Sequence, residues 1–280
     1  MKKSKKQHYV PRFYLKGFLH NDCEQLLVFD KVQNKTFLKN IEEVCEQNYY
    51  YSYRDNKKNY NDYNYMVEDY LSRKEYEFSL VFEKIIKNIE DHYYKSKGMK
   101  RLFHEDRQNL LEFLYYQILR VPKYIDKLFF NGIKYLKELN KKYNRVQNEK
   151  EIVNDLKSIM FPRLFNNVQE FISIMNKRNL AFFIIDKNIT ECFVSTDNPV
   201  LITNSEINVD RVGIIDPRTE VSIPISKNIL LVIGKTHIKY KLEYHIINSV
   251  DRVKNLNVLI RNNAMRFIYS GQENLLNWRN

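Results

Sequence analysis

The sequence predicts an α+β protein in which a helical middle is flanked by two β-rich ends. Three observations carry that expectation. The chain has only 6 Gly and 6 Pro among 280 residues, which favours long regular elements over tight turns. Between residues 61 and 178, apolar side chains recur three, four and seven apart, the period of amphipathic helices. Residues 7–54 and 180–280 instead hold short apolar or alternating runs bounded by turn residues. The expected layout is one α+β domain over residues 1–280. It comprises a disordered basic tail (1–6), a β-rich part (7–54), a helical part (61–178) and a second β-rich part (180–280). Whether the two β-rich ends join one sheet is left open by the sequence.

After the tail comes Gln7-His8-Tyr9-Val10-Pro11-Arg12-Phe13-Tyr14-Leu15-Lys16-Gly17-Phe18. Chain termini are usually frayed and polar. Here Tyr9, Phe13, Tyr14 and Phe18 bring too much apolar surface to leave in water, so the segment should dock and carry His8 and Arg12 with it. Gln25–Asp30 reads as a strand, with Lys35–Leu38 as its hairpin partner. Ile41–Glu46 allows one or two helical turns, and the aromatic bias of Tyr49–Tyr53 suggests a short strand. Asn61 or Asp62 can cap a helix reaching about Tyr93, with Val67, Leu71, Phe78, Phe82, Ile85 and Ile89 as its apolar stripe. A second helix spans about Lys100 to Arg120, and Pro122 ends or kinks it.

A third helix covers about Lys123 to Tyr143, and residues 137–151 look like a solvated connection. A fourth spans about Ile152 to Lys177, interrupted or kinked at Phe161-Pro162. Beyond it, strands are expected at Leu180–Ile185, Glu191–Ser195, Val200–Thr203, Val221–Ile225 and Ile229–Ile233. A helix over Glu243–Ala264 and a strand over Met265–Tyr269 complete the chain.

Composition excludes several function classes. No segment approaches the roughly 18 apolar residues of a membrane span, and the basic start lacks the apolar core of a secretory signal. A cytoplasmic protein without a membrane partner is expected. Cys23, Cys45 and Cys192 form neither a metal-ligand pattern nor a disulfide framework, so free thiols are expected. There is no Gly-rich phosphate loop, GxSxG elbow or HExxH pair, which argues against a nucleotide cofactor. The formal net charge of +12 points to an acidic partner such as RNA or DNA. Part of that lysine excess, however, reads as the coding bias of an AT-rich genome, and the charge is spread along the chain.

Candidate chemistry rests on polar residues where apolar ones are expected. Glu75 lies four after Leu71 and three before Phe78, within the stripe of its helix, and Glu68 is seven residues earlier on nearly the same face. A carboxylate directed into a core is costly unless it is paired or liganded. Gln117 falls on the apolar stripe of the next helix, with Arg120 one turn away. The planar fork of Arg120 suits either Glu75 or a phosphate. Asp197 and Asn198, in Ser195-Thr196-Asp197-Asn198-Pro199, project from a strand end, where either an Asx-type turn or a site can be built. His8 suits acid–base or metal chemistry, although a histidine bonded to backbone is the commoner case.

Together these residues resemble a bacterial family known only as domain of unknown function 4238. The resemblance lies in the stretch His8 to Phe18, in Val28-Phe29-Asp30-Lys31, in the tyrosines at 49–53, and in the spaced acids Glu68 and Glu75. It continues through Gln117 to Pro122, Ser195 to Pro199, Val221 to Ser226 and Asn257. The family's Ser-Asp-Asn-Pro motif is departed from here: Thr196 is either inserted or occupies the serine position. The resemblance implies a prokaryotic single-module protein and supplies no agreed reaction.

Two functions follow as expectations. The first is a metal-dependent phosphodiesterase or nuclease, in a defence or toxin role. In it Glu68, Glu75 and Asp197 hold Mg²⁺ or Mn²⁺, and His8, Glu75 and Asp197 are catalytic. Arg12, Gln117, Arg120 and Asn198 then contact substrate. The second is a non-enzymatic module that binds nucleic acid or protein and whose polar motifs form a buried structural network. The oligomeric state is not readable.

Overall fold

A computed structural model describes residues 5–20, 24–54, 63–95, 102–204, 214, 216–236 and 242–272. Residues 1–4 of the expected tail, the Asn61 or Asp62 cap, and Cys23 lie outside the described residues. The chain begins with β1 (Lys6–His8), α1 (Arg12–Leu15) and a 3-10 turn (Lys16–Phe18). Next come β2 (Gln25–Asp30), β3 (Lys35–Asn40), a 3-10 turn (Ile41–Glu43), β4 (Glu46–Asn48), β5 (Tyr53–Arg54) and β6 (Tyr63–Asn64). The helical middle is α2 (Met66–Lys95), α3 (His104–Arg120), α4 (Pro122–Lys142), α5 (Glu149–Asn166) and α6 (Val168–Met175). The C-terminal part is β7 (Arg178–Ile185), β8 (Ser195–Thr196), β9 (Leu201–Thr203), β10 (Glu220–Ser226), β11 (Ile229–Thr236), β12 (Leu242–Ile247), α7 (Val250–Asn263) and β13 (Phe267–Ser270).

The fold is α+β, with sheets at both ends of a helical middle, and the two ends do share a sheet. A four-stranded sheet runs β3-β2-β13-β8, so the last described strand lies between β2 and β8. A five-stranded sheet runs β12-β7-β11-β10-β9; its pairings are antiparallel except for β12 beside β7. Period-two alternation gives β7 two buried faces. Leu180, Phe182 and Ile184 enter the large core under the helices, while Phe183 and Ile185 pack toward α7 with Leu230, Val253 and Ile260.

The N-terminal motif is docked, with Tyr9, Val10, Tyr14, Leu15 and Phe18 all buried. Phe13 meets Phe82 and Phe113 edge to face at 5.5 and 5.7 Å, which fixes α1 on α2 and α3. α2 buries the six residues of its predicted stripe. Pro122 occupies the first position of α4, so α3 ends at Arg120 and a new helix starts at once.

Local expectations are corrected at several points. Lys6 is not in a tail: it pairs with Asn48 in β1, and its amine reaches Glu46 at 2.7 Å. Tyr49–Tyr53 is not a strand, because Tyr49 takes a left-handed φ of 53° and only Tyr53 joins β5. The expected strand over Glu191–Ser195 is confined to Ser195–Thr196. α5 starts earlier than expected, where Asn148 and Glu151 bond each other's backbone amides in a reciprocal cap. Pro162 lies inside α5, and the chain breaks at Asn167 instead. Residues 242–247 are strand and not helix, since parallel pairing with β7 overrides a helical apolar period.

Candidate functional site

The site is built around Arg120, at the end of α3 where Pro122 stops the helix. Its side chain is 3% exposed. The guanidinium Nε donates to Tyr51 Oη at 3.0 Å, while Nη2 donates to Glu75 Oε1 at 2.5 Å and to the His8 backbone oxygen at 2.6 Å. Tyr51 Oη donates in turn to the same His8 oxygen at 3.2 Å. The final carbonyl of α3 is satisfied as well, because Tyr50 Oη donates to Arg120 O at 2.9 Å. One side chain thus ties together α3, α2, the N-terminal motif and the 49–53 segment.

The surrounding residues extend this hub. Gln117 is fully buried and donates to Tyr9 O at 3.1 Å, while its Oε1 has no partner among the described residues. Gln7 is also fully buried: its amide nitrogen donates to Ser52 Oγ and its oxygen accepts from Tyr51 N, both at 2.7 Å. The His8 ring faces the Glu42 backbone, and its buried Nε2 has no partner among the described residues. Burial, then the Arg12 charge, push the imidazole below its ordinary value, against Glu46 and Glu75.

Two carboxyl groups of α2 border the hub, as their seven-residue spacing predicts. Glu75 is ion-paired with Arg120 and keeps about a quarter of its side chain exposed (26%). Glu68 is half-buried, and burial raises its carboxyl to about 7; Arg120 opposes that shift, while Glu75 and Asp69 add to it. The exposed face of Glu75 opens onto a groove of about 440 Å³, shared with Arg12, Lys16, Glu42 and Ser79. Arg12 is exposed and pairs with Glu42 at 2.6 Å.

Asp197 and Asn198 lie apart, in a second brace. Asp197 accepts three backbone amides: Met265 N on Oδ1 at 2.8 Å, and Arg266 N and Phe267 N on Oδ2 at 2.8 and 3.0 Å. Burial raises its carboxyl, and those amides pull it back. Asn198 Nδ2 donates to Asn263 O, and Asn263 Nδ2 returns a bond to Asn198 O at 2.7 Å. Asn257 holds the preceding segment by accepting from Val194 N and donating to Cys192 O. Buried side chains link the two braces: Tyr269 Oη lies 3.0 Å from Cys45 Sγ, which also bonds the Tyr9 side chain.

The structure therefore brings His8, Glu68, Glu75, Gln117 and Arg120 together, with Arg12 on the adjoining groove. It commits Asp197 and Asn198 to the backbone around β8, β13 and α7. A cation at α2 would have Glu68 and Glu75 beside a guanidinium, without Asp197. Among the described residues, no three His, Cys, Asp or Glu side chains are grouped to hold a metal ion. Gln7, Tyr51, Cys45 and Tyr269 were not among the site residues expected from sequence. Gln7 and Tyr51 could have been sought inside the aromatic motif and the tyrosine cluster.

No described helix is long and apolar enough to cross a membrane. No curated protein and no solved structure matches the chain. The model of the family described as a protein of unknown function, DUF4238, matches residues 6–274. That match takes in both braces and nearly the whole sequence, and the chain belongs to the DUF4238 family.

Proposed function

We propose that the chain is a non-enzymatic binding protein whose partner is a nucleic acid and whose polar motifs brace the fold. The observation supporting this reading is the fate of the motif side chains. Gln117, Arg120, Asp197 and Asn198 each bond the backbone of a distant segment. A buried guanidinium closed on Glu75, Tyr51 and His8 is suited to fixing geometry and poorly placed to receive a phosphate. The net charge of +12 supplies the attraction for an acidic partner. The test is a titration of labelled single- and double-stranded RNA and DNA at low and moderate salt. Association that weakens steeply with salt is expected, because binding releases counterions. No association at low salt overturns the reading.

One observation favours hydrolysis as a second reading. Glu68, raised to about 7, stands on the same helix as Glu75, and the two differ in environment because, among the described residues, only Glu75 has a hydrogen-bonded cation. Carboxyl groups separated in this way can divide acid and base roles. In that reading Glu68 carries the proton, and Arg12 and Lys16 in the groove meet a phosphodiester. Incubation with RNA and DNA, with Mg²⁺ or Mn²⁺ and with chelator, tests it. Cleavage that Glu68→Gln abolishes supports it.

A further inference from the structure

The segment that sends Tyr51 to Arg120 also borders a second groove, of about 710 Å³, walled by β5, β6 and α5. Tyr49, Arg54, Tyr63, Lys150 and Lys157 line it. The rings of Tyr49 and Tyr63 stack face to face, 3.9 Å apart and 4° from parallel. The Lys5 amine lies 5.6 Å from the Tyr49 ring centre, and the Arg54 guanidinium 5.6 Å from that of Tyr63. A left-handed φ of 53° is unfavourable for an aromatic residue, and such strain concentrates at functional sites. Tyr49 is held in it from both sides, since its N–H donates to Lys5 O and its carbonyl accepts Lys157 Nζ, each at 2.8 Å.

Lys157 is the second anomaly. Among the described residues its amine reaches carbonyl oxygens, Tyr49 O and Ser52 O at 3.5 Å, and no carboxylate. Burial lowers it to about 8. Arg54 and Lys150 likewise have no acidic partner among the described residues. Two acids share the wall, and neither pairs with Lys157 among the described residues: Glu151 caps Asn148 N, and Asp155 accepts Gln147 Nε2 at 2.8 Å. A half-buried ammonium held by neutral oxygens is poorly compensated, and an anion beside it would stabilise it.

We propose that this groove binds a nucleoside phosphate, with the phosphate among Arg54, Lys150 and Lys157 and the base on the outer face of Tyr63, where it replaces the Arg54 guanidinium. The inference rests on the reading of a nucleic-acid partner and names where and how that partner is held. Aromatic stacking joined to a line of cations is how single strands are bound without sequence preference. The ligand is either a free nucleotide or a residue within a single strand.

Calorimetric titration separates these possibilities, using adenosine monophosphate, inorganic phosphate, a single-stranded oligonucleotide of about ten nucleotides, and its duplex. Wild type is compared with Arg54→Ala, Tyr63→Ala and Lys157→Met, with thermal melts to verify folding. Arg54 and Tyr63 lie on a two-stranded antiparallel pair outside the main core, so those two variants carry the argument if Lys157→Met fails to fold. The single strand, or the mononucleotide if that is the natural ligand, should bind in preference to duplex and phosphate. Each folded variant should weaken that binding by about tenfold or more, the equivalent of one stacked base or one lost charge contact. Oligonucleotide binding unchanged in all three variants would overturn the groove and leave the nucleic-acid reading standing. Phosphate binding as tightly as nucleotide, with Tyr63→Ala silent, would overturn the stacked base. Failure of every ligand to bind would overturn both readings.

Discussion

Arg120 and His8 are 112 positions apart in the chain, yet the guanidinium of one lies 2.6 Å from the backbone oxygen of the other. The contact uses the His8 main chain and not its imidazole. A buried Arg at a helix end thereby locks the docking of the N-terminal motif. The aromatics provide the burial, and the hydrogen bonds select one position for it.

Removing one partner of the ion pair should expose how much depends on it. Glu75→Ala leaves Arg120 buried, with only Tyr51 and the His8 carbonyl to satisfy it. Breaking a buried pair costs about 3–5 kcal/mol. With Glu75 still 26% exposed, the lower end, about 3 kcal/mol, is expected from urea denaturation. An unchanged midpoint would mean that the pair contributes nothing to stability.

Asp197→Asn should act on stability and not on chemistry alone. An amide keeps one acceptor oxygen and turns an NH₂ group toward backbone N–H groups that the carboxylate now accepts. Hydrogen bonds to charged groups contribute about 1.5–3 kcal/mol each, so a loss of about 3 kcal/mol is expected from equilibrium unfolding. A variant as stable as wild type would remove the case that Asp197 is a brace.

The Glu68 carboxyl gives the protein a pH signature. Its value is raised from 4.5 to about 7, so across that window the folded state keeps a proton that the unfolded chain has lost. The Glu68 contribution to stability therefore falls as pH rises from about 4.5 to about 7 and levels off above. At about 1.4 kcal/mol per unit, the effect is at most about 3 kcal/mol. Glu68→Gln should match wild type near the acid end of the window and exceed it at the alkaline end. Parallel stability profiles for the two proteins would contradict the shift.

Two glycines should respond in opposite ways to alanine. A Cβ at Gly271 would fall 2.7 Å from the Leu19 backbone oxygen, which has no flexible end to move aside. Overpacking of this kind costs about 1–3 kcal/mol. At Gly234, within β11, a Cβ meets nothing within 4 Å, so Gly234→Ala should be neutral or stabilise by about 0.5 kcal/mol. Equal thermal shifts in the two variants would refute the distinction.

Legibility of these features in the sequence follows the locality of their causes. The α2 stripe was readable to the residue because helical periodicity needs no partner. Glu75 and Arg120 could be paired in advance because each interrupts an apolar face. The acceptors of the Asp197 brace were not readable: its partners are backbone amides, and every residue but proline offers one. At Glu243–Ile247 the apolar spacing fits a helix, and only the parallel neighbour β7 makes it a strand. The tyrosine cluster misled for a related reason. Its aromatic bias favours a strand, but Tyr49 adopts a backbone that no strand allows, while Tyr50 and Tyr51 are both buried.

The position of β13 has a consequence for how the protein is made. Strands β2 and β8 pair with each other only through it, and the three amides that Asp197 needs begin at Met265. During synthesis the first strands leave the ribosome long before their neighbour exists, with the inner edge of β2 open throughout. A nascent chain interrupted before Met265 would expose that edge together with an unsatisfied buried carboxylate, and open edges are templates for aggregation. β13 therefore sets the point at which this sheet can close. Only a chain translated past Ser270 can close the sheet that β2 started.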